Sequence, residues 1–273
     1  MLKPFWNKKR RLSMTGDEFE AAISKADTLP VVSAADAGKV LVVDETGAIV
    51  PGEGGGDTDA IVASLIEHSY SGVFSTTASL IASSAFTAMP DITAAYFPNC
   101  VNLSSGNFRS MPNLSIISMP ELTTMSSYGF AQAAIKSIYL PKCTGNFANT
   151  FMNCSKLEYA NLPKASYLAS SCFYSCNKLR TLILGEDCSL LTSRCCADAH
   201  ALASVYLLYS GVVKPNYNVS TALFDGTPIT NSTYTGSFGS IFVPASLYSS
   251  YLASASWAVI SDRIASIPED WTP

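Results

Sequence analysis

Charge is scarce in this sequence. Asp, Glu, Lys and Arg make up 14% of 273 residues, against about 25% in an average soluble domain. Histidine is scarcer, with His68 and His200 alone. Neither has a nucleophile or carboxylate at a spacing that reads as a catalytic constellation. Acids do not recur as a close pair suited to glycoside cleavage, and Glu186 and Asp187, beside Gly185, read as turn residues. No Cys-x-x-Cys pair with a matching second half occurs, which argues against zinc. The run PGEGGGDTD at 51–59 lacks the Lys-Ser or Lys-Thr of a phosphate-binding loop and is flanked by acids, so it reads as a linker. No catalytic residue, metal or cofactor is expected, and the chain reads as a non-enzyme. There is no apolar run of the ~20 residues that a membrane-spanning helix needs. The stretch LSMTGDEFEAAISKAD after Arg11 is too polar for a secretory signal, so the chain is expected not to use the general secretion route.

What the sequence does have is a period. FMNCSKLEYANLPKASYLASSCFYSCNKLRTLIL, at 151–184, repeats itself after 22 residues. Phe151 returns as Phe173, Cys154 as Cys176, Leu157 as Leu179 and Leu162 as Leu184. The same slot holds Phe130, Phe108 and Phe86 upstream and Cys196 downstream. A strand signature follows each slot, apolar-x-x-apolar-x-apolar, as in Ile135, Ile138 and Leu140 or Leu202, Val205 and Leu207. Proline closes it at Pro98, Pro120, Pro141 and Pro163, with Gly185 once in that place. Proline cannot donate a ladder hydrogen bond, so it ends the strand. A unit of this length cannot bury its apolar side alone, but a stack can.

This pattern, Phe-x-x-Cys-x-x-Leu-x-x-apolar-x-apolar-Pro, resembles the BspA-like leucine-rich repeats of bacterial surface and phage proteins, over about residues 60–267. The resemblance implies a mainly-β or α/β-type solenoid with about seven parallel rungs and no shared chemistry. Strands are expected from Ile92, Leu114, Ile135, Leu157, Leu179 and Leu202. A seventh follows an insertion, at Phe238-x-x-Ile241-x-Val243. An N-terminal cap is expected over 60–85 and a C-terminal cap over 238–273. In the latter, a helix over Ala245–Trp257 would cover the last rung with Tyr248, Tyr251, Leu252 and Trp257.

Residues 1–50 read as a separate attachment and oligomerisation region. Lys3, Lys8, Lys9, Arg10 and Arg11 form a basic arm with Phe5 and Trp6. Removing those five cations leaves 17 − 5 = 12 basic against 21 acidic residues in the rest of the chain. The arm suits contact with an anionic partner, or a solvated terminus. Thr15 to Lys25 reads as a short capped helix, and Val40–Val43 with Ala48–Val50 as a β-hairpin across Asp44–Gly47. Leu29 to Val43 (LPVVSAADAGKVLVV) is similar to N-terminal segments of phage fibre and head-fibre proteins.

The eight cysteines share repeat slots: Cys154 with Cys176, Cys100 with Cys143, Cys172 with Cys195. That placement fits small buried hydrophobes. Adjacent rungs lie ~5 Å apart, within disulfide reach, so a Cys154–Cys176 bond stays open. Sequons at Asn102, Asn113, Asn153, Asn218 and Asn231 follow rung composition.

Between the inward strand positions lies an outward row: Tyr96, Ser118, Tyr139, Asn161, Ile183, Tyr206 and Phe242. Two residues earlier comes a second: Ala94, Ile116, Ser137, Tyr159, Thr181, Ser204 and Ser240. Flat aromatics among hydroxyls suit sugar rings or a protein surface, although tyrosine also favours strands for their own sake. Tyr96, Tyr139, Tyr159, Asn161, Tyr206 and Phe242 are the candidate ligand-binding residues. Together with the two resemblances they imply a phage head or tail fibre. It would be a homotrimer docked on capsid or tail proteins through Lys3, Phe5, Trp6 and Lys8–Arg11, and would touch a host surface protein or glycan through the repeats. No nucleic-acid or membrane partner is implied. The alternative is a bacterial cell-surface adhesin.

Overall fold

The computed structural model describes residues 40–43, 49–52, 71–75, 80–81, 86, 91–145, 147–231 and 239–273. The basic arm (Lys3, Phe5, Trp6, Lys8, Lys9, Arg10, Arg11), the expected helix at 15–25 and most of the linker lie outside them. Strand β1 (Val40–Val43) pairs antiparallel with β2 (Ile49–Gly52), with Val42 opposite Val50. That is the expected hairpin, and its second strand runs two residues into the expected linker.

From there on every described pairing is parallel. Most units lay down one long strand and one short one. β3 (Ser71–Ser75) is followed by β4 (Leu80–Ile81), β5 (Asp91–Tyr96) by β6 (Asn102–Leu103), and β7 (Ile116–Ser118) by β8 (Thr124–Met125). After β9 (Ser137–Tyr139) come β10 (Tyr159–Leu162) with β11 (Tyr167–Leu168), and β12 (Thr181–Leu184) with β13 (Leu190–Leu191). β14 (Ser204–Leu207) precedes β15 (Lys214–Pro215), and β16 (Ser240–Val243) and β17 (Ile264–Ser266) close the series. The long strands form two ladders, β3-β5-β7 and β9-β10-β12-β14-β16-β17, and the short ones form β4-β6-β8 and β11-β13-β15. Strands thus fill all seven apolar segments read in the sequence, and one more stands beyond them at each end, inside the segments expected to be caps.

The inward residues Leu157, Ala160 and Leu162 in one unit, and Leu179, Leu182 and Leu184 in the next, are all buried. Alternation along a strand puts these apolar side chains on one face. The short strands rest on a further apolar slot of the repeat. Ile81, Leu103, Met125, Leu168 and Leu191 each lie five residues before the Phe slot, and all are buried.

On the far side of the core the phenylalanines form a column. Phe86, Phe108, Phe130, Phe151 and Phe173 stack ring on ring, with centroids 5.0, 5.3, 5.5 and 5.1 Å apart and planes within 16° of parallel. The rings of Phe108, Phe130, Phe151 and Phe173, and Cys196 after them, each sit at the middle of a turn whose backbone bends left-handed on both sides. The positive-φ pairs are Gly106/Ser110, Tyr128/Gln132, Asn149/Asn153, Ser171/Ser175 and Arg194/Asp198. Most of these are glycine or short polar residues, which tolerate that region best. The turns are tied to one another by backbone bonds that advance one unit at a time. The N–H of Phe108 reaches Gly129 O (2.8 Å), Phe130 reaches Thr150 O (2.9 Å), Phe151 reaches Cys172 O (2.9 Å), and Phe173 reaches Cys195 O (2.7 Å).

The same ladder shows what the insertion after Lys214 does. Cys196 N donates to Leu223 O and Asp198 N to Asp225 O, so Phe224, fully buried, occupies the next Phe slot, with Gly226 at the matching left-handed position. Counting in steps of 22 missed it because this unit is longer. Part of the extra length is a single π-helical turn, Val219–Leu223, capped by the Asn218 side chain, which accepts from Ser220 N and Thr221 N.

All eight cysteines are buried and free. Cys154 Sγ donates to Phe130 O, and Cys176 Sγ to Phe151 O, both at 3.0 Å. Each thiol thus fastens one unit to the Phe of the unit before, and the Cys154–Cys176 disulfide is not formed. Burial pushes the thiols of Cys100, Cys154 and Cys188 up to about 12 and that of Cys143 to about 11. Gly185 stands in the proline place because the chain closes tightly there. A Cβ on it would meet Pro163 O at 1.9 Å.

At the C-terminal end, a 3-10 turn (Ala245–Leu247) leads into the short helix α1 (Tyr248–Ala253), and a second 3-10 stretch (Ala258–Arg263) follows. Tyr251 and Trp257 are fully buried and meet edge to face at 5.4 Å. Tyr251 OH accepts from Val213 N (3.0 Å), and Trp257 Nε1 donates to Val213 O (2.8 Å). Tyr248 and Leu252 are half-buried against them.

Phe130→Ala removes a ring held between two parallel neighbours. It should cost about 3–5 kcal/mol, read as a lowered urea midpoint. The thiols give the fold an alkaline limit. Below pH ~9 they are neutral in both states and cost nothing. As pH rises from about 9 toward 12 the unfolded chain loses protons that the native core keeps. Stability should therefore fall by up to about 1.4 kcal/mol per pH unit for each such thiol, and Cys154→Ala should flatten that slope in denaturation curves at pH 8 to 10.5.

Candidate functional site

The outward faces of the long strands line up by register. One row runs Tyr139, Asn161, Ile183, Tyr206, Phe242 and Ala265 across the six-stranded ladder. Its neighbour runs Ser137, Tyr159, Thr181, Ser204 and Ser240. In the smaller ladder Tyr96 stands beside Ser118, and Ala94 beside Ile116. None of the fourteen outward positions read from the sequence is charged. Ion pairs and cation–π contacts lie elsewhere, at the corners after the strands (Lys142 to Glu121, Lys164 to Asp187 at 3.1 Å) and on the return turns (Arg109 over Tyr128, Arg194 over Tyr174).

The face is not uniformly open, and this corrects the expectation of six ligand-facing residues. Tyr206 is only 1% exposed. Its ring lies between Phe242 (centroids 4.7 Å, planes 14° apart) and Trp271 (4.4 Å, 18°). Trp271 comes from the tail after β17, where its N–H donates to Pro268 O at 3.1 Å. Burial raises the Tyr206 hydroxyl pKa, and side-chain hydrogen bonds with Trp271 and Ser204 partly oppose the rise. Tyr206 is therefore part of an aromatic clasp that fastens the tail, and Ile183 beside it is buried as well. The sequence held one trace of this clasp, a tryptophan after the last strand, but nothing that said which strand it covers.

The N-terminal part of the face differs. Tyr139 is 41% exposed and Ile116 38%. Tyr96 and Tyr159 are half-buried. Asn161 is buried at 8% exposure, again against expectation, because it sits mid-ladder with Tyr139 and Ile183 on either side. Its Nδ2 donates to Tyr159 OH at 3.4 Å, and its Oδ1 has no partner. Burial raises the Tyr159 hydroxyl pKa, with the Asn161 hydrogen bond opposing.

The described residues contain no group of three or more His, Cys, Asp or Glu side chains placed to hold a metal ion, and no helix long and apolar enough to cross a membrane. His200 lies on the return side, with Nδ1 2.8 Å from Gly226 O, where it bridges neighbouring units.

A family model described as BspA type leucine-rich repeat region matches the chain in six copies, over residues 79–203 and 148–243. Together the matches run from 79 to 243, more than half of the 273 residues. No curated protein matches the sequence.

The clasp gives a direct test. Tetranitromethane should leave Tyr206 unmodified in the parent protein, while Trp271→Ala should open it to nitration, read by peptide mass mapping. Equal protection in both proteins would show that the tail does not cover it.

Proposed function

We propose that this chain, which belongs to the BspA-type leucine-rich repeat family, is a non-enzymatic attachment protein whose strand ladder binds a host surface. The observation that carries the reading is the uncharged face with exposed Tyr139 and Ile116 and half-buried Tyr96 and Tyr159. A stacked ladder holds these side chains on a rigid backbone, so little entropy is lost when they are engaged. Aromatic rings with hydroxyls supply large contact area at low ordering cost.

The carrier we propose is a phage virion. The Leu29 to Val43 segment resembles phage fibre N-termini, and a hairpin such as β1–β2 is marginal by itself and gains from packing on copies or on a particle. On this reading residues 1–50 dock on capsid or tail proteins, with Lys3, Phe5, Trp6, Lys8, Lys9, Arg10 and Arg11 at the contact, and three copies share one attachment point. Family membership also favours a second reading, a bacterial surface adhesin using the same face.

Two measurements bear on this. A Tyr96→Ser, Tyr139→Ser, Tyr159→Ser triple variant should melt as a folded protein yet adhere to host cells about tenfold less or worse. Tyr217→Ser, at an exposed tyrosine off the strand face, should adhere as the parent does. Equal adhesion by the triple variant would sink the face as the binding surface. Immunogold microscopy should place the protein on phage particles, and label on bacterial envelopes alone would favour the adhesin.

A further inference from the structure

Asn161 poses a problem that the fold does not solve. An amide buried in a strand ladder ordinarily has both ends bonded. Here Oδ1 is enclosed and accepts from nothing, and the Nδ2 contact to Tyr159 OH, at 3.4 Å, is longer than a good N–H···O bond. Exchanging the amide's oxygen and nitrogen would not help, since one end would still be unmatched. Leaving such a group unmet costs stability that an apolar residue of the same size would not. A buried polar group without a partner calls for a specific explanation, and Asn161, unlike the core residue Thr150, stands on the outward row of the ladder.

The surroundings say what the missing partner is. Directly across the register stands Tyr139, the most exposed residue of the row. Two residues before Asn161 on the same strand is Tyr159, half-buried and weakly held. The outward rows themselves carry no charge, and the exposed charges at the strand starts, Lys136, Glu158 and Arg180, alternate in sign from rung to rung, so they offer an anionic or cationic ligand no single-sign field. Strand β10 is already paired on both sides, by β9 and β12, so no peptide can add to it as a further strand. What fits is a neutral ring with an apolar face to lie on an aromatic side chain and hydroxyl groups at its rim.

We propose that Tyr139, Tyr159 and Asn161 form a subsite for a neutral pyranose. The sugar stacks on the Tyr139 ring. As the Tyr159 side chain turns aside, a sugar hydroxyl donates to Asn161 Oδ1. This deepens the attachment reading above by naming its ligand as carbohydrate. The clasped half of the face shows a ring-on-tyrosine contact made internally, with the Trp271 ring stacked on Tyr206.

The test uses the full chain and methyl glycosides of glucose, galactose, mannose, N-acetylglucosamine and N-acetylgalactosamine in saturation-transfer NMR. At least one should bind, and Tyr139→Ala and Asn161→Leu should each weaken it about tenfold or more, the worth of one good contact. Asn161→Leu should also melt no lower than the parent, whereas a purely structural asparagine would make that variant melt lower. Binding unchanged in both variants would overturn the subsite, as would failure of all five glycosides. Host-cell adhesion that is lost after protease treatment of the cells but survives periodate oxidation of their glycans, with no glycoside bound in solution, would replace carbohydrate with a protein partner and overturn it too. A parent that binds glycoside but no cells would uphold the subsite and sink the attachment reading.

Discussion

The near-constant distance between one phenylalanine and the next governs this molecule. A ring can stack face to face on a neighbour only if the backbone brings them about 5 Å apart, which is also the spacing of paired strands. Phe86 to Phe173 satisfy that distance four times in succession. Once the rings are stacked, each turn's N–H groups meet the next turn's carbonyls and each strand meets its neighbour in register. Removing the column would take away the stack that spaces the return turns one strand apart.

The column also explains the thiols. In the Phe-x-x-Cys unit the cysteine three residues on turns its S–H back to the carbonyl of the previous unit's Phe, as Cys154 does to Phe130 and Cys176 to Phe151. Sulfur is small enough for the slot, and its weak donor spares the buried carbonyl a second unmet position. Oxidation of that pair would give up both bonds. Where Cys196 replaces the ring, the stack pauses, and the backbone ladder carries the register on to Phe224.

A rigid core leaves the strand face free to vary. Away from the clasped rungs, its exposed and half-buried outward residues such as Tyr96, Ile116 and Tyr139 do not hold the solenoid together, so their lack of charge is not required by packing. The charged side chains at the corners and return turns show that this fold accepts charge where it is solvated. An uncharged, tyrosine-bearing surface of this kind suits contact with a neutral partner. The Trp271 clasp confines that surface to the N-terminal rungs.

Much of the architecture was legible in the chain because a repeat states the same constraint many times over. The Phe slot, the inward Leu and Ile positions and the closing prolines are local patterns, and local spacing decides which face of a strand each occupies. The unit containing Phe224 escaped because a six-residue surplus breaks the count while leaving the hydrogen bonding intact. The site was legible only in part. Alternation alone names Tyr139, Tyr159, Asn161 and Tyr206 as outward. Whether outward means exposed depends on what the rest of the chain lays over them, and periodicity carries no information about that. Trp271 reaches Tyr206 from 65 residues away in sequence, and Asn161 is enclosed by neighbours on adjoining strands. Sequence by itself determined the ladder, since stacking is a nearest-neighbour property. Tertiary structure alone decided which part of the face is covered and that Asn161 Oδ1 on it is left without a partner, since both depend on contacts between residues far apart along the chain.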